Sequence, residues 1–139
     1  MKFLKTFVLL AGGAALALSH TTSAIAKTDL LVYTAVEADE LKKFKKSFES
    51  DYPGVNIKWV RDSTGIITSK LLAEKDNPKA DIVWGVAATS LLLLSKYNYF
   101  QGYAPKGVKK LQKNYYDTKN NPPLWVGQRA WIASVCYNT

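Results

Sequence analysis

The chain reads as an α/β protein built on a parallel sheet, and three features of its sequence predict this. Short apolar strand patterns at residues 29–34, 55–60 and 80–84 alternate with helix patterns. The connections between them are short, which calls for right-handed βαβ crossovers. Each strand also runs into a connection of small or hydroxylated residues. In a parallel sheet such connections share the carboxyl edge of the strands, where ligands bind.

The first 26 residues stand apart from that fold and have the form of a secretory signal peptide. Lys2 and Lys5 make a basic start, residues 7–18 are an apolar run broken only by Gly12 and Gly13, and Ala24-Ile25-Ala26 offers an A-x-A cleavage site. The run falls short of the about 20 residues that span a bilayer. An uncleaved anchor is the alternative, and the polar stretch 19–23 with the A-x-A site argues for cleavage. No cysteine lies near the cleavage point, so a lipid anchor is not indicated.

Residues 27–139 then form one domain with a modest core. The chain's net charge of +8 loses Lys2 and Lys5 with the leader, and the remainder suits anionic ligands without naming one. Lysines 42, 43, 45, 46, 106, 109, 110 and 113 are spread as on solvated helix faces, so no nucleic-acid partner is expected. Cys136 is the single cysteine, which excludes an internal disulfide, and the single histidine, His20, lies in the leader. Zinc and a histidine-based triad are poorly served, and neither a metal site nor a cofactor is expected.

In chain order, the first strand carries the continuous apolar run Leu30-Leu31-Val32-Tyr33, as in strands covered on both faces. Glu37 and Asp39 open the first helix, where acids complement the dipole; Leu41, Phe44 and Phe48 recur at helical spacing until Tyr52-Pro53-Gly54. The second strand leads into Arg61-Asp62-Ser63-Thr64-Gly65. There Ser63 or Thr64 caps a helix over 66–76, Gly65 admits a ligand to the backbone, and the helix N–H groups form a cradle for a small anion. One such loop alone would be read as a plain N-cap; three at one edge are better explained by a ligand. Ile67, Leu71 and Leu72 give the second helix its buried face. Gly85-Val86-Ala87-Ala88-Thr89-Ser90 is the third connection, and Leu91 to Leu94 opens a helix expected to be buried on all sides. Beyond it, 108–113 suggests a short helical segment, and 125–127 and 129–137 read as strands, the latter by alternation. The tyrosines and tryptophans here more often pack a core or an edge than stack on a ligand.

Several of these stretches resemble one family, the periplasmic solute-binding proteins of ABC importers, in the class that includes ferric-iron and phosphonate binders. The carriers are Leu31-Val32-Tyr33-Thr34-Ala35, Arg61-Asp62-Ser63-Thr64-Gly65, Leu71-Leu72-Ala73-Glu74-Lys75-Asp76-Asn77-Pro78, Ala80-Asp81-Ile82-Val83-Trp84-Gly85 and Pro123-Leu124-Trp125-Val126-Gly127. The second, third and fourth look most like the subgroup for 2-aminoethylphosphonate uptake. The resemblance implies a three-layer parallel-sheet lobe of a type II periplasmic-binding-protein fold. Family members are about two to three times longer, with two lobes clamping the ligand. It therefore implies that 27–139 is an N-terminal lobe with the second lobe absent, whose uncovered face invites association.

The resemblance carries ligand contacts onto Tyr33, Thr34 and Ala35, onto Ser63, Thr64 and Gly65, and onto Gly85, Ala87, Ala88 and Thr89, with Glu37 a candidate for an amine or a metal. It implies a periplasmic, non-enzymatic receptor, monomeric when full length, that hands a small anionic ligand, most readily 2-aminoethylphosphonate, to an inner-membrane permease. Ferric-iron binding is the runner-up, with Glu37 and Tyr33 the obvious hard ligands, and a non-functional truncated fragment is the third reading. A phosphate-ester hydrolase on the same scaffold is disfavoured: the sequence has neither a Gly-x-Ser-x-Gly elbow nor, past the leader, a histidine base. A basic surface-interaction protein would leave the hydroxylated loops unexplained.

Overall fold

A central strand, β1 (Thr28–Thr34), pairs in parallel with β2 (Val55–Arg61) on one side and β3 (Ile82–Trp84) on the other, giving the order β2-β1-β3. This is the arrangement in the computed structural model, which describes residues 26–131 and 134–137. Residues 1–25, all but the last of the expected signal peptide 1–26, lie outside the described residues. The helices α1 (Ala38–Asp51), α2 (Thr64–Ala73) and α3 (Ala88–Ser95) alternate with the strands, as the sequence predicts.

Strand parity divides the core into two layers. Val32 pairs with Trp59 and Ile82, and Thr34 with Arg61 and Trp84, so these side chains share one face. The Trp59 and Trp84 rings stack over β1 with centroids 5.7 Å apart, and Phe44 of α1 meets Trp84 edge-on at 4.8 Å. The opposite face carries Tyr33, which packs with Ile67, Leu71 and Leu94 of α2 and α3; Leu31, Val60 and Val83 border that cluster. Helix, sheet and helix pair make the three layers that the resemblance implies. Burying Ile67, Leu71 and Leu94 completely, all at 0 % exposure, contributes about 1.5–3 kcal/mol for each side chain.

Several boundaries differ from the sequence reading, each for a local reason. The third strand begins at Ile82 because Asp81 uses its carboxylate, as well as its N–H, on Leu31: Leu31 N–H donates to Asp81 Oδ2 at 2.7 Å. Helix α2 starts at Thr64, and its cap is Ser63, whose Oγ accepts from Ile66 N–H at 3.4 Å. Helix α3 is not buried all round: Leu94 is enclosed, but Leu92 is 50 % and Leu93 38 % exposed. An all-leucine turn has no polar side to mark its solvent face, so only packing decides which leucine turns inward. Residues 108–113 resolve into 3-10 helices at Val108–Lys110 and Lys113–Tyr115.

The expected strands at 125–127 and 129–137 are a correction. Val126 forms only an isolated antiparallel bridge with Tyr116, and the described residues from 128 onward contain no strand. Trp131, Val135 and Tyr137 are 72 %, 92 % and 83 % exposed. Alternation supplies a face but not a partner, and without a neighbouring ladder it does not make a strand.

The loop that leads there is held by a buried carboxylate. Asp117, 6 % exposed, accepts from Lys119 N–H at 2.9 Å, Asn120 Nδ2 at 2.8 Å and Leu124 N–H at 3.1 Å. Burial pushes the Asp117 carboxyl up, but the Asn120 amide and the backbone N–H groups outweigh it and hold the group below the ordinary aspartate value. The stability this confers is complete above the ordinary carboxylate range, near about pH 4, and is lost as pH falls through the lowered value. Asp117→Asn is expected to cost about 1–3 kcal/mol at neutral pH and to flatten the acid limb. Urea unfolding of both proteins across the acid range checks this; identical pH profiles would contradict it.

Candidate functional site at the strand ends

The strand order 2-1-3 has its switch point between β1 and β3, where successive connections leave on opposite faces of the sheet. The two loops that meet there are Ala35-Val36-Glu37 and Gly85-Val86-Ala87. Their packing is close. Gly85 has φ +67°, and a Cβ on it would run into Val36 Cγ2 and lie 3.5 Å from Thr34 Oγ1. Glycine is thus required at 85 both for its left-handed backbone and for the space. The β2–α2 connection lies beside β1 at the same edge, with Asp62 N–H donating to Thr34 O at 3.1 Å.

The predicted site residues fall into two sets. Ser63, Gly65, Ala88 and Thr89 are exposed at the edge, while Thr64, Ala35 and Ala87 are half-buried there. A Cβ on Gly65 would meet nothing within 4 Å, so a ligand has open access to that backbone. Gly65 lies within α2 and, unlike Gly85, has an ordinary negative φ. Tyr33 and Thr34 belong to the second set, whose side chains are buried.

Tyr33 is 2 % exposed, on the α2 face. Its hydroxyl donates to Glu74 at 3.0 Å, and Glu74 is the C-cap of α2, at the far end of the helix from the strand ends. Lys70 joins them, 2.7 Å from Glu74 Oε1 and 5.3 Å from the Tyr33 ring centroid. Burial, then the Glu74 carboxylate, pushes the Tyr33 phenol up, while the bond from Lys70 holds Glu74 below its ordinary value. The phenol is a neutral donor inside the lobe, not a phenolate at its edge. Thr34 is 0 % exposed, and its Oγ1 accepts from Val36 N–H at 3.1 Å. It shapes the loop from beneath.

Glu37 occupies the N-cap position of α1 without capping it. Its carboxylate instead takes Arg61 Nη2 at 2.7 Å, and Arg61 Nε donates to Val36 O at 3.1 Å. Arg61 lies in the Arg61-to-Gly65 stretch, but its spacing carries no signal that a guanidinium folds over the neighbouring loop. Ala87, the N-cap of α3, has no side-chain acceptor either. Two of the three helices at this edge therefore keep first-turn N–H groups that no cap side chain takes, and α2 keeps those of Thr64 and Gly65.

Two cavities lie elsewhere, along the unpaired edge of β3. The larger, about 550 Å³, is lined by residues that include Ile82, Val83, Phe100, Tyr103 and Leu124, and the smaller, about 220 Å³, by Leu91, Pro123 and Trp125 among others. Of their lining residues only Asp81 is charged, and it is already bonded to Leu31. They follow from a strand edge without a neighbour; the donors gather at the strand ends. Among the described residues no group of three or more His, Cys, Asp or Glu is placed to hold a metal, and no helix is long and apolar enough to cross a membrane.

Two glycine substitutions separate the roles of these loops. Gly85→Ala is expected to destabilise by about 1–3 kcal/mol, because alanine resists the left-handed region and meets Val36. Gly65→Ala, in open space on a helical turn, is expected to be neutral or stabilising by up to about 1 kcal/mol. Thermal unfolding of both variants measures this, and equal effects would contradict the assignment.

Comparison with known proteins agrees with this fold. No protein-family profile matches the chain. A probable ABC transporter periplasmic-binding protein, y4fP, of Sinorhizobium fredii is 39 % identical over 66 residues, 48 % of this chain and 18 % of that protein. Among solved structures, the periplasmic binding protein P5PA is similar with TM-score 0.58 and 25 % identity, over 64 % of this chain and 28 % of that one. The periplasmic binding protein AfuA from Actinobacillus pleuropneumoniae, with fructose-6-phosphate bound, gives 0.57 and 22 %, over 63 % and 27 %. Iron-bound HitA from Pseudomonas aeruginosa gives 0.56 and 19 %, over 65 % and 29 %. The chain thus spans less than a third of the length of each. Over that part it resembles the periplasmic binding proteins of ABC transporters, and its sheet and helices are the corresponding part of a type II periplasmic-binding-protein fold.

Proposed function

We propose that residues 27–139 are the N-terminal lobe of the periplasmic solute-binding component of an ABC importer, exported by the leader 1–26. In this reading the protein is a receptor and not an enzyme. It passes its ligand to a permease in the inner membrane and is monomeric at full length. The ligand is a small anion, with 2-aminoethylphosphonate the best fit.

The observation that carries this reading is the gathering of three helix starts at one edge of the sheet, two of them without a side-chain cap. Each first turn offers N–H groups without intrahelical partners, backed by the positive end of a dipole. A phosphonate accepts several such bonds at once. The ammonium end needs a carboxylate. Glu37 is bound to Arg61, whereas Asp62 is exposed at the β2–α2 connection and, among the described residues, has no cationic partner. Asp62 Oδ1 accepts from Ser63 N–H at 2.7 Å, which leaves Oδ2 for an ammonium. Of the hard-ligand pair of the iron reading, Tyr33 is buried and already bonded to Glu74.

Calorimetric titration of 2-aminoethylphosphonate and, separately, of ferric citrate tests the assignment. Thr64→Ala keeps the backbone N–H and removes the hydroxyl donor beside it; a hydrogen bond to a charged group contributes about 1.5–3 kcal/mol, so the loss of that hydroxyl should weaken phosphonate binding about tenfold or more. Gly65→Val should weaken it further by covering the open backbone. Undiminished affinity in both variants would refute the cradle, and ferric binding without a phosphonate response would transfer the assignment to iron.

A further inference from the structure

We propose that Arg61 is the charge partner of the anionic head group, and that Glu37 holds its place on the guanidinium until the anion arrives. This rests on the binding function proposed above and adds a residue that neither the sequence motif nor the helix starts assign. Arg61 ends β2, in register with Thr34, and stands two residues before Ser63, the N-cap of α2. The bond from Nε to Val36 O, 3.1 Å, swings the guanidinium over the β1–α1 loop beside the switch point. Nη2 then meets Glu37 Oε2 at 2.7 Å, and Nη1 has no partner among the described residues.

The fork is therefore fixed at Nε, held by Glu37 at Nη2 and open at Nη1. A guanidinium offers five donors in a plane and binds phosphate-like oxyanions through two parallel N–H bonds. Its present partner is easily displaced: the two side chains are 40 % and 73 % exposed, and an ion pair that open to water adds little stability. Arg129, the other arginine, contrasts with it. Both of its terminal nitrogens are engaged by one carboxylate, Nη2 to Glu40 Oε2 at 2.7 Å and Nη1 to Glu40 Oε1 at 3.3 Å. Arg61 keeps an arm free at the edge where the helix N–H groups lie. Its anchor on Val36 also explains why lysine, a point charge without a fork, would not replace it.

The test is NMR titration of the chain with inorganic phosphate and with 2-aminoethylphosphonate, following the Arg61 Nε–Hε signal and the backbone amides of Thr64, Gly65, Ala88 and Thr89. Wild type should show saturable shifts at Arg61 and at the helix starts with one common midpoint. Arg61→Gln should weaken both ligands about tenfold, the loss of one bidentate charged contact, while the amides still respond. Glu37→Gln should tighten both several-fold, about the effect of removing a competitor and a nearby like charge. Amide shifts without a shift at Arg61, with unchanged affinity in Arg61→Gln, would overturn the role of Arg61 and leave the cradle standing. Shifts at Arg61 alone would keep Arg61 as the anion contact and overturn the cradle. No response at either place would overturn both.

Discussion

The two-sided parallel pairing of β1 is the constraint on which the rest of the lobe depends. A strand with a neighbour on each side and helices on both faces exposes little of itself, and Val32, Tyr33 and Thr34 are all buried. Parallel pairing forces each return of the chain to pass over a face of the sheet, so every helix begins at the same edge. The gathering of backbone donors is therefore not a separate design. It follows from the hydrogen bonds of one seven-residue strand.

Much of that skeleton was legible from residue pattern. The run Leu30-Leu31-Val32-Tyr33 announces a strand covered on both faces, and Ile67 and Leu71 announce the side of α2 that meets it. The alternation of three strand and three helix patterns then leaves few topologies. The described residues of 129–137, namely 129–131 and 134–137, were misread for the complementary reason. Their alternation is as clean as that of a strand, but pairing is a property of two segments, and nothing in the segment itself reports whether a neighbour exists.

The site was legible as a location more than as a set of side chains. Ser63 was readable as a helix start because hydroxyl caps act within four residues of sequence. Tyr33 and Thr34 stand at the right strand end, yet parity sends the tyrosine to the α2 core and places the threonine under the Val36 loop. Whether a residue at a strand end presents its side chain or only its backbone depends on what packs there, and that is decided by the distant residues Glu74 and Gly85. Arg61 escaped notice because its function at the edge depends on Val36 and Glu37, 25 and 24 positions earlier. Charge at such a site is arranged by the fold, while donors are supplied by helix starts that local sequence can signal.

In the proposed complex the ligand sits on the helix starts at the strand ends, and not in the roomier trough along β3. A crystal structure of the chain at saturating 2-aminoethylphosphonate measures this directly. Phosphonate oxygens are expected within hydrogen-bonding distance of the N–H groups of Thr64 and Gly65, with further contact from Ala88 or Thr89. Ligand density between Ile82 and Tyr103, with the edge bare, would contradict it.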